Sequence, residues 1–304
     1  TYGRIVSVLS IGLFLESAWT KVLQSEGNMK LPMIAQIVGA VINIILDYLL
    51  IFGIGFFPAL GIAGAAVATV TGQIAAAVIV MTKGFRKSTP LSVYKKYVKK
   101  IYYLGFPNIL MQSAYTFYIF GLNMILKGFS DQAVTTLGLY YKWQSFFFIP
   151  LGAMQTCIVP VISYNYGAGM YDRCKKTLKD AVIFGWTLMI IGTLCFEIIP
   201  GPMLRVFSRD AKVIEIGVNA FHIIGMSFIL LVTSLTFPVY FQAIGQSVKS
   251  SLLTVLRTVV LFVPLGWLFS KLGLKYFWCT FPVTEFITTA AGLIMLKRFR
   301  GNYE

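Results

Sequence analysis

Long apolar runs separated by short polar gaps dominate the chain. A helix needs about 20 apolar residues to cross a bilayer core of about 30 Å, and a window of about 19 residues finds nine runs of that length. They lie at residues 2–23, 31–53, 60–82, 101–126, 133–162, 178–200, 213–241, 250–270 and 276–296. The pattern predicts an all-α polytopic membrane protein with nine transmembrane helices.

A weak internal repeat indicates two related halves. The motif QxxG at residues 24–27, after the first run, recurs at 242–245 after the seventh. The motif LGI at 60–62 recurs as LGL at 272–274. Three helices near the start therefore resemble the three at the end, and duplicated helix bundles with a site between them are typical of secondary transporters.

The repeat and a stretch rich in Lys and Arg between the third and fourth runs together predict the domain organisation. We expect the second half of an N-terminal lobe, with three helices, over residues 1–83. A basic cytoplasmic linker follows over 84–100, and a C-terminal lobe of six helices covers 101–304. Because the second lobe has six helices, we expect the first to lack three, so that the chain holds nine of twelve in two pseudo-symmetric lobes.

Composition agrees with a membrane protein and argues against other classes. Of the 304 residues, 57% are hydrophobic and 12% charged, and the net charge is +15. The basic residues collect in the gaps between apolar runs, so we expect no nucleic-acid partner. The four cysteines and single histidine show no metal-ligand spacing, and no hydrolase or phosphate-binding motif is present. We therefore expect no enzymatic activity and no cofactor other than a coupling ion.

The distribution of Lys and Arg predicts the orientation in the membrane. Seven basic residues and no acidic one lie in the gap after the third run, at Lys83, Arg86, Lys87, Lys95, Lys96, Lys99 and Lys100. Basic loops face the cytoplasm, so alternation of the spans places the first residue outside and the C-terminus inside. We expect a monomer in the cell membrane whose partners are lipid and a small-molecule substrate.

The second apolar run carries a carboxylate. Asn43 and Asp47 are one helical turn apart, and Gln36 extends the same polar face. A carboxylate near the bilayer midplane costs at least about 2.5 kcal/mol, so Asp47 is a functional-site candidate. The alternative is an Asp47 that is buried for packing and hydrogen-bonded to Asn43.

Other polar residues within the runs are candidates for substrate or proton handling. Glu285 and Arg257 lie on the last two spans and can pair with each other, a role as often architectural as functional. Glu16, in the middle of the first span, is a further candidate. Glu197 is interpreted as interfacial and His222 as a core residue. Four residues are predicted to line a substrate cavity: Gln112, Tyr115, Tyr140 and Gln144.

Several motifs together resemble the multidrug and toxic compound extrusion (MATE) family. In the first half these are Gly27-x-x-Lys30-x-Pro32-Met33, Asn43-x-x-x-Asp47 and the run LGIAGAAVAT at 60–69. In the second half they are Pro160-x-x-x-Tyr164-Asn165-Tyr166-Gly167-Ala168, Gln242-x-x-Gly245 and Leu256-Arg257 with Pro264. The resemblance covers the whole chain, which corresponds to helices four to twelve of the family's twelve.

The resemblance implies a secondary active antiporter that exports small organic, often cationic, compounds in exchange for sodium ions or protons. The family's first-lobe cation site falls on Asn43, Asp47 and Thr69, and we add Gln36 from the same polar face. If the ion is sodium, its ligands are Asp47 and Asn43, whose oxygens suit a hard cation. The family's carboxylate on the seventh helix has no counterpart between residues 105 and 120.

Two other functions are alternatives. A lipid or lipid-linked oligosaccharide flippase of related architecture is expected to have more cationic residues in its cavity, where they bind pyrophosphate. A non-transporting receptor or assembly scaffold needs no midplane carboxylate at all. The embedded carboxylates favour the antiporter.

Overall fold

The computed structural model describes residues 2–55, 57–87 and 90–300, and its regular elements over these ranges are all helices. The chain divides into two compact units, Thr1–Val93 and Tyr94–Glu304. Their boundary lies within the stretch 84–100 that we predicted to be a linker. The assignment of lobes stays a prediction, and each unit is described by itself.

The first unit is built around one helix that touches the other three. Its helices are α1 (Tyr2–Val8), α2 (Ile11–Ser25), α3 (Lys30–Phe52) and α4 (Ile62–Gly84). Helix α4 packs against α1, α2 and α3. Its sequence begins with IAGAAVAT, and such small residues let neighbouring backbones approach closely.

Two glycines determine how closely α3 and α4 approach each other. A Cβ on Gly72 would lie 2.5 Å from the carbonyl oxygen of Gly39, and a Cβ on Gly39 would lie 2.8 Å from the carbonyl oxygen of Gly72. Each contact is with backbone, which cannot rotate away. The two helices therefore meet at this distance only because both positions lack a side chain.

The second unit contains the longer helices and most of the aromatic core. From residue 91 onward the elements are α5 (Leu91–Lys127), α6 (Asp131–Gly167), α7 (Tyr171–Ile198), α8 (Pro200–Arg205), α9 (Ala211–Gly225), α10 (Phe228–Ala243), α11 (Ser247–Val255), a π-helical segment (Leu256–Phe262), α12 (Val263–Ser270), α13 (Leu274–Phe277) and α14 (Thr280–Arg300). Helix α10 packs against α6, α7, α11 and α14. Buried rings such as Phe196, Phe228 and Trp278 fill the space between these helices.

The predicted spans coincide with these helices. Over the described residues, six helices are long and apolar enough to cross a membrane, and up to eight if each of two bent pairs forms one span. The prediction of an all-helical membrane protein is confirmed. The predicted span 101–126 lies within α5, which is not among those eight, so nine spans stay a prediction.

Two spans are bent at a serine, which the sequence analysis did not predict. Helices α1 and α2 meet at 51°, and α9 and α10 meet at 57°. At the first bend the Ser10 hydroxyl donates to the carbonyl oxygen of Ser7 over 2.9 Å. At the second, the Ser227 hydroxyl donates to the carbonyl oxygen of Ile224 over 2.6 Å. A serine that binds the preceding turn in this way competes with helix hydrogen bonds and favours a bend.

The QxxG motifs end α2 and α10 in the same way. Gly27 has a φ of 82° and Gly245 a φ of 76°, a left-handed conformation that favours glycine. The amide of each glycine donates to the carbonyl oxygen of its motif's glutamine over 3.1 Å. The next amide donates to the carbonyl of the residue before that glutamine, which completes a Schellman cap in both places. The sequence repeat is therefore also a repeat of local structure.

We predict that Gly72→Ala destabilises the first unit by about 1–3 kcal/mol, because the new methyl group overlaps the Gly39 carbonyl. The measurement is the free energy of unfolding in mixed detergent micelles. Gly3→Ala is the control, since Gly3 is a helical glycine of the same unit with no neighbouring atom within 4 Å of an added Cβ. Equal losses in the two variants would show that close packing at Gly72 is not the cause.

Candidate functional site

A cavity of about 260 Å³ lies between α2, α3 and α4. Five polar side chains line it: Glu16, Gln36, Asn43, Thr69 and Gln73. Its other lining residues are small, namely Gly39, Ala40, Gly72 and Ala76. The structure therefore brings three of the predicted cation-site residues, Gln36, Asn43 and Thr69, to one cavity.

Glu16 is the carboxylate of this cavity, and it was not part of the predicted cation site. Its side chain is buried, with 8% of the residue exposed. The Thr20 hydroxyl donates to Glu16 Oε1 over 2.9 Å, and Gln36 Nε2 donates to the same oxygen over 3.4 Å. The spacing of Glu16 and Thr20 by one helical turn is readable in the sequence, whereas the approach of Gln36 depends on how α3 packs.

The cavity also holds polar atoms whose hydrogen bonds are unmade. Asn43 Nδ2 and Gln73 Oε1 are buried without a hydrogen-bond partner among the described residues. Such atoms cost about 1–3 kcal/mol each, so they point to a ligand or water in a working site. Thr69 differs, because its hydroxyl donates to the carbonyl of Ala65 over 2.9 Å and lies 3.2 Å from the Tyr2 hydroxyl.

Asp47 lies one turn beyond Asn43 on α3 and is not among the residues that line the cavity. Its Oδ1 is buried and has no hydrogen-bond partner in the part of the chain that the structure describes. The packing alternative, in which Asn43 donates to Asp47, is therefore not the arrangement of these two described residues. A buried carboxylate oxygen without a donor is costly, which keeps Asp47 a candidate.

In the second unit, Arg257 and Glu285 form a buried ion pair. Arg257 is 5% exposed and Glu285 is fully buried. Arg257 Nη2 lies 2.5 Å from Glu285 Oε1, and Arg257 Nε lies 3.1 Å from each carboxylate oxygen. The Ser234 hydroxyl donates to Glu285 Oε2. Three donor atoms thus surround the carboxylate, which compensates much of its desolvation.

The backbone around Arg257 forms a π-helix instead of an α-helix. The arginine lies at the start of the π-helical segment, and Pro264 lies just after that segment. A proline lacks an N–H and displaces the carbonyl four residues before it, which favours a wider turn here. The Arg257 guanidinium carbon also lies 5.0 Å from the centre of the Phe262 ring, in a cation–π contact.

Aromatic rings connect this ion pair to two predicted cavity residues. Phe262 stacks on Tyr118 at 4.9 Å and contacts Phe281 edge-on at 5.3 Å. Tyr140 packs against Phe281 at 5.1 Å, and Tyr115 packs against Tyr118 at 5.1 Å. Tyr140 is almost completely buried, so it belongs to the aromatic core.

Gln112 and Gln144 are the other two residues that were predicted to line a substrate cavity. Gln144 is buried, and the side chain of Gln112 lies outside the described part of the chain. The second unit has cavities of about 510 Å³ beside Tyr102 and about 300 Å³ beside Trp278. Tyr115, Tyr140 and Gln144 line neither of these two cavities. Their role in substrate binding stays a prediction.

Glu197 and His222, which the sequence indicated to be an interfacial and a core residue, form a pair. Glu197 Oε2 lies 2.8 Å from His222 Nδ1. Both side chains are about one third exposed, at 33% and 38%. Glu197 lies in the last turn of α7 and His222 in the last turn of α9, so only the packing of these helices brings them together.

The chain is similar to proteins of one family. A sequence model of the MatE family matches residues 107–268, which is more than half of the chain. The multidrug export protein MepA of Staphylococcus saprophyticus is 25% identical over 288 residues, which cover 91% of this chain and 62% of that protein. A FAD transporter of Shewanella oneidensis is 26% identical, over 91% of this chain and 63% of that protein. The chain thus spans somewhat less than two thirds of these relatives.

A solved structure shares the fold. It is described as the outward-facing conformation of a multidrug resistance MATE family transporter of the MOP superfamily. The TM-score is 0.86 at 20% sequence identity, and the match covers 98% of this chain and 68% of that chain. At this identity the likeness concerns the fold alone.

We predict that Glu285→Gln lowers the free energy of unfolding by about 3–5 kcal/mol, because the Arg257 charge stays buried without its counterion. The double variant Arg257→Gln/Glu285→Gln removes both charges and should recover most of that loss. Unfolding in mixed micelles measures both variants.

The exposed pair of Glu26 and Arg86 supplies the control. These side chains are 45% and 51% exposed, so Glu26→Gln should change stability by no more than about 1 kcal/mol. A double variant that is less stable than Glu285→Gln alone would contradict the assigned role of the buried charge.

Proposed function

The chain belongs to the MatE family, and we propose that it forms part of a secondary active antiporter that exports small organic compounds in exchange for sodium ions or protons. It acts as a monomer in the cell membrane with its C-terminus in the cytoplasm, and it carries out no enzymatic reaction. The coupling ion is its only cofactor.

One observation carries this proposal, namely the set of buried polar atoms without partners on α3 and α4. Asn43 Nδ2, Asp47 Oδ1 and Gln73 Oε1 all lack hydrogen bonds within the described residues. In a purely structural bundle these atoms would be paired with one another or replaced by apolar groups. The free-energy cost of these unpaired atoms is offset where an ion or a substrate supplies the missing hydrogen bonds during part of a transport cycle.

The carboxylates give this site its coupling chemistry. A carboxylate binds either a proton or a sodium ion, and occupancy by one excludes the other. An ion that binds one access state more tightly than the other shifts the equilibrium between them by its difference in affinity. Asp47 and Asn43 are the proposed ion ligands, and Gln36 and Thr69, which line the cavity together with Asn43, are the further polar residues of the proposed cation site.

The exported compound is proposed to be a small organic cation. The names of the relatives include a multidrug export protein and a FAD transporter, so substrates differ among them. In this chain, Glu16 puts a negative charge into the cavity of the first unit, whose other lining residues are neutral. A negative cavity favours cations over anions such as flavin nucleotides.

The flippase alternative receives less support. A flippase for pyrophosphate-linked lipids requires cationic side chains that are free to bind the anion. Arg257, the cation within the second unit's buried polar centre, is instead occupied by Glu285 through two hydrogen-bonding nitrogens. Its charge is therefore neutralised where it lies.

We predict that Asp47→Asn, made in the whole protein of which this chain forms part, abolishes transport driven by an ion gradient while protein expression stays normal. The measurement is the accumulation of a fluorescent organic cation in proteoliposomes under an imposed sodium or proton gradient. Asp131→Asn is the matched control, since Asp131 is exposed in the first turn of α6, and it should transport at the unmodified rate. Undiminished gradient-driven transport by Asp47→Asn would rule out the proposed coupling.

A further inference from the structure

We propose that the cavity beside Trp278 binds the headgroup of phosphatidylethanolamine in the outer leaflet of the membrane. The cavity has a volume of about 300 Å³ and is lined by residues of α9 and of the segment around α13. Both elements belong to the second unit, which is predicted to hold all six helices of its lobe. The inference is independent of the ion site and of the exported compound. Four features of the cavity lead to it.

The first feature is that the cavity has charges of both signs. Lys212, Glu215 and Asn219, spaced three and four residues apart, line it from one face of α9. Lys275 lines it from α13. No described residue forms an ion pair with either lysine or with Glu215, and the nearby Asp210 carboxylate instead accepts from the backbone amide of Lys212 over 2.9 Å. The two ammonium groups and the carboxylate are therefore available to a ligand that has both an anionic and a cationic part.

The second feature is an indole N–H without an acceptor. Trp278 is 1% exposed and belongs to the aromatic core, where it packs edge-on against Phe277 at 5.2 Å. Trp143 and Trp186 donate their indole N–H groups to backbone carbonyls. Trp278 donates to no described residue, although it lines the cavity. A ligand with acceptor oxygens gains a hydrogen bond here, from a ring that the core holds in place.

The third feature is size. A water molecule occupies about 30 Å³ of liquid, so the cavity has room for a group of several non-hydrogen atoms. Ile216 and Leu274 add apolar surface to its wall, against which short carbon chains can pack. A free inorganic anion fills only part of this space and leaves Glu215 without a partner.

The fourth feature is the position of the cavity in the membrane. It lies where the predicted spans 213–241 and 276–296 begin, and the predicted orientation places both of these ends outside. Tryptophan and lysine are common at the level of the lipid headgroups. Two apolar side chains close to Lys275 in the chain are exposed, Leu272 at 64% and Tyr276 at 53%. Such side chains offer contacts to the glycerol and acyl groups of a lipid whose headgroup occupies the cavity.

The polar groups of the cavity match the two ends of phosphoethanolamine. Phosphodiester oxygens accept hydrogen bonds from Lys212, Lys275 and the Trp278 indole. A primary ammonium donates N–H groups to the Glu215 carboxylate and to the Asn219 carbonyl. A choline headgroup has the same phosphate, but its quaternary ammonium donates no hydrogen bond, and a glycerol headgroup has no cation. The cavity should therefore bind phosphatidylethanolamine more tightly than phosphatidylcholine or phosphatidylglycerol.

The test is native mass spectrometry of the whole protein of which this chain forms part, titrated in detergent with one lipid at a time. The probes are phosphatidylethanolamine, phosphatidylcholine and phosphatidylglycerol with identical acyl chains, and glycerophosphoethanolamine as the headgroup without acyl chains. An exposed charge pair contributes up to about 1 kcal/mol, which is about fivefold in affinity. We therefore expect phosphatidylethanolamine to bind about three- to fivefold more tightly than the other two lipids.

Two variants connect the binding to the named residues. Glu215→Gln removes the partner of the ammonium, so the affinity for phosphatidylethanolamine should fall to that for phosphatidylcholine, which stays unchanged. The double variant Lys212→Gln/Lys275→Gln removes the cations that face the phosphate and should weaken the binding of all three lipids at least about threefold. Lys271→Gln is the control, because Lys271 precedes α13 but lies outside the cavity, over the Trp267 ring at 5.0 Å.

Each result decides the inference. A preference for phosphatidylethanolamine that persists in Glu215→Gln, or lipid binding that is unchanged in the double lysine variant, overturns it. Equally tight binding of phosphatidylglycerol also overturns it, and so does binding of glycerophosphoethanolamine as tight as that of the lipid, which would indicate a soluble ligand. The substituted side chains are exposed, so the variants should fold normally. If one of them does not, the comparison of the four probes on the unmodified protein still decides.

Discussion

A charged side chain inside an apolar helix bundle needs a partner within the protein, and this constraint shapes the polar centres of both units. Lipid offers no hydrogen bonds, so a polar group there is either paired or costly. The second unit meets the constraint with the Arg257–Glu285 pair and the Ser234 hydroxyl. The first unit has a buried Glu16 with two neutral donors and no cationic side chain among the residues that line its cavity. The same physical requirement is therefore met internally in one unit and only partly met in the other.

The fold of each unit determines where these polar groups can meet. In the first unit, Gly39 and Gly72 let α3 and α4 approach until their backbones touch, which keeps the polar faces of both helices at one cavity. In the second unit, the π-helical segment places Arg257 opposite α14, beside a layer of stacked rings. Small residues line the cavity of the first unit, whereas stacked rings lie beside the ion pair of the second. Both units share the bent span and its cap, but the π-helical segment belongs to the second unit, whereas α3 of the first is a regular α-helix.

Much of the fold follows from the sequence, because hydrophobic length and periodicity depend on local residues. The predicted spans 31–53 and 60–82 differ from α3 and α4 by only one or two residues at each end. The bends at Ser10 and Ser227 were missed, although a serine near a glycine in the middle of an apolar run was a readable signal. Contacts between residues on different helices were harder to predict. The pairs Gln36 with Glu16 and Glu197 with His222 depend on helix rotation and register, which hydropathy does not determine.

The internal repeat explains why a sequence with so few charged residues can have two polar centres of different character. Both halves keep the parts that form the scaffold, namely the serine at the bend, the Schellman cap and the glycine of the LGI and LGL motifs. They differ in their charges, because the second unit has the Arg257–Glu285 pair, whereas Glu16 in the first unit is hydrogen-bonded to the neutral Thr20 and Gln36. With the guanidinium built into the chain, the second centre is a permanent ion pair. In the first unit no cationic side chain lines the cavity, so the carboxylate of Glu16 is left with two neutral hydrogen-bond donors.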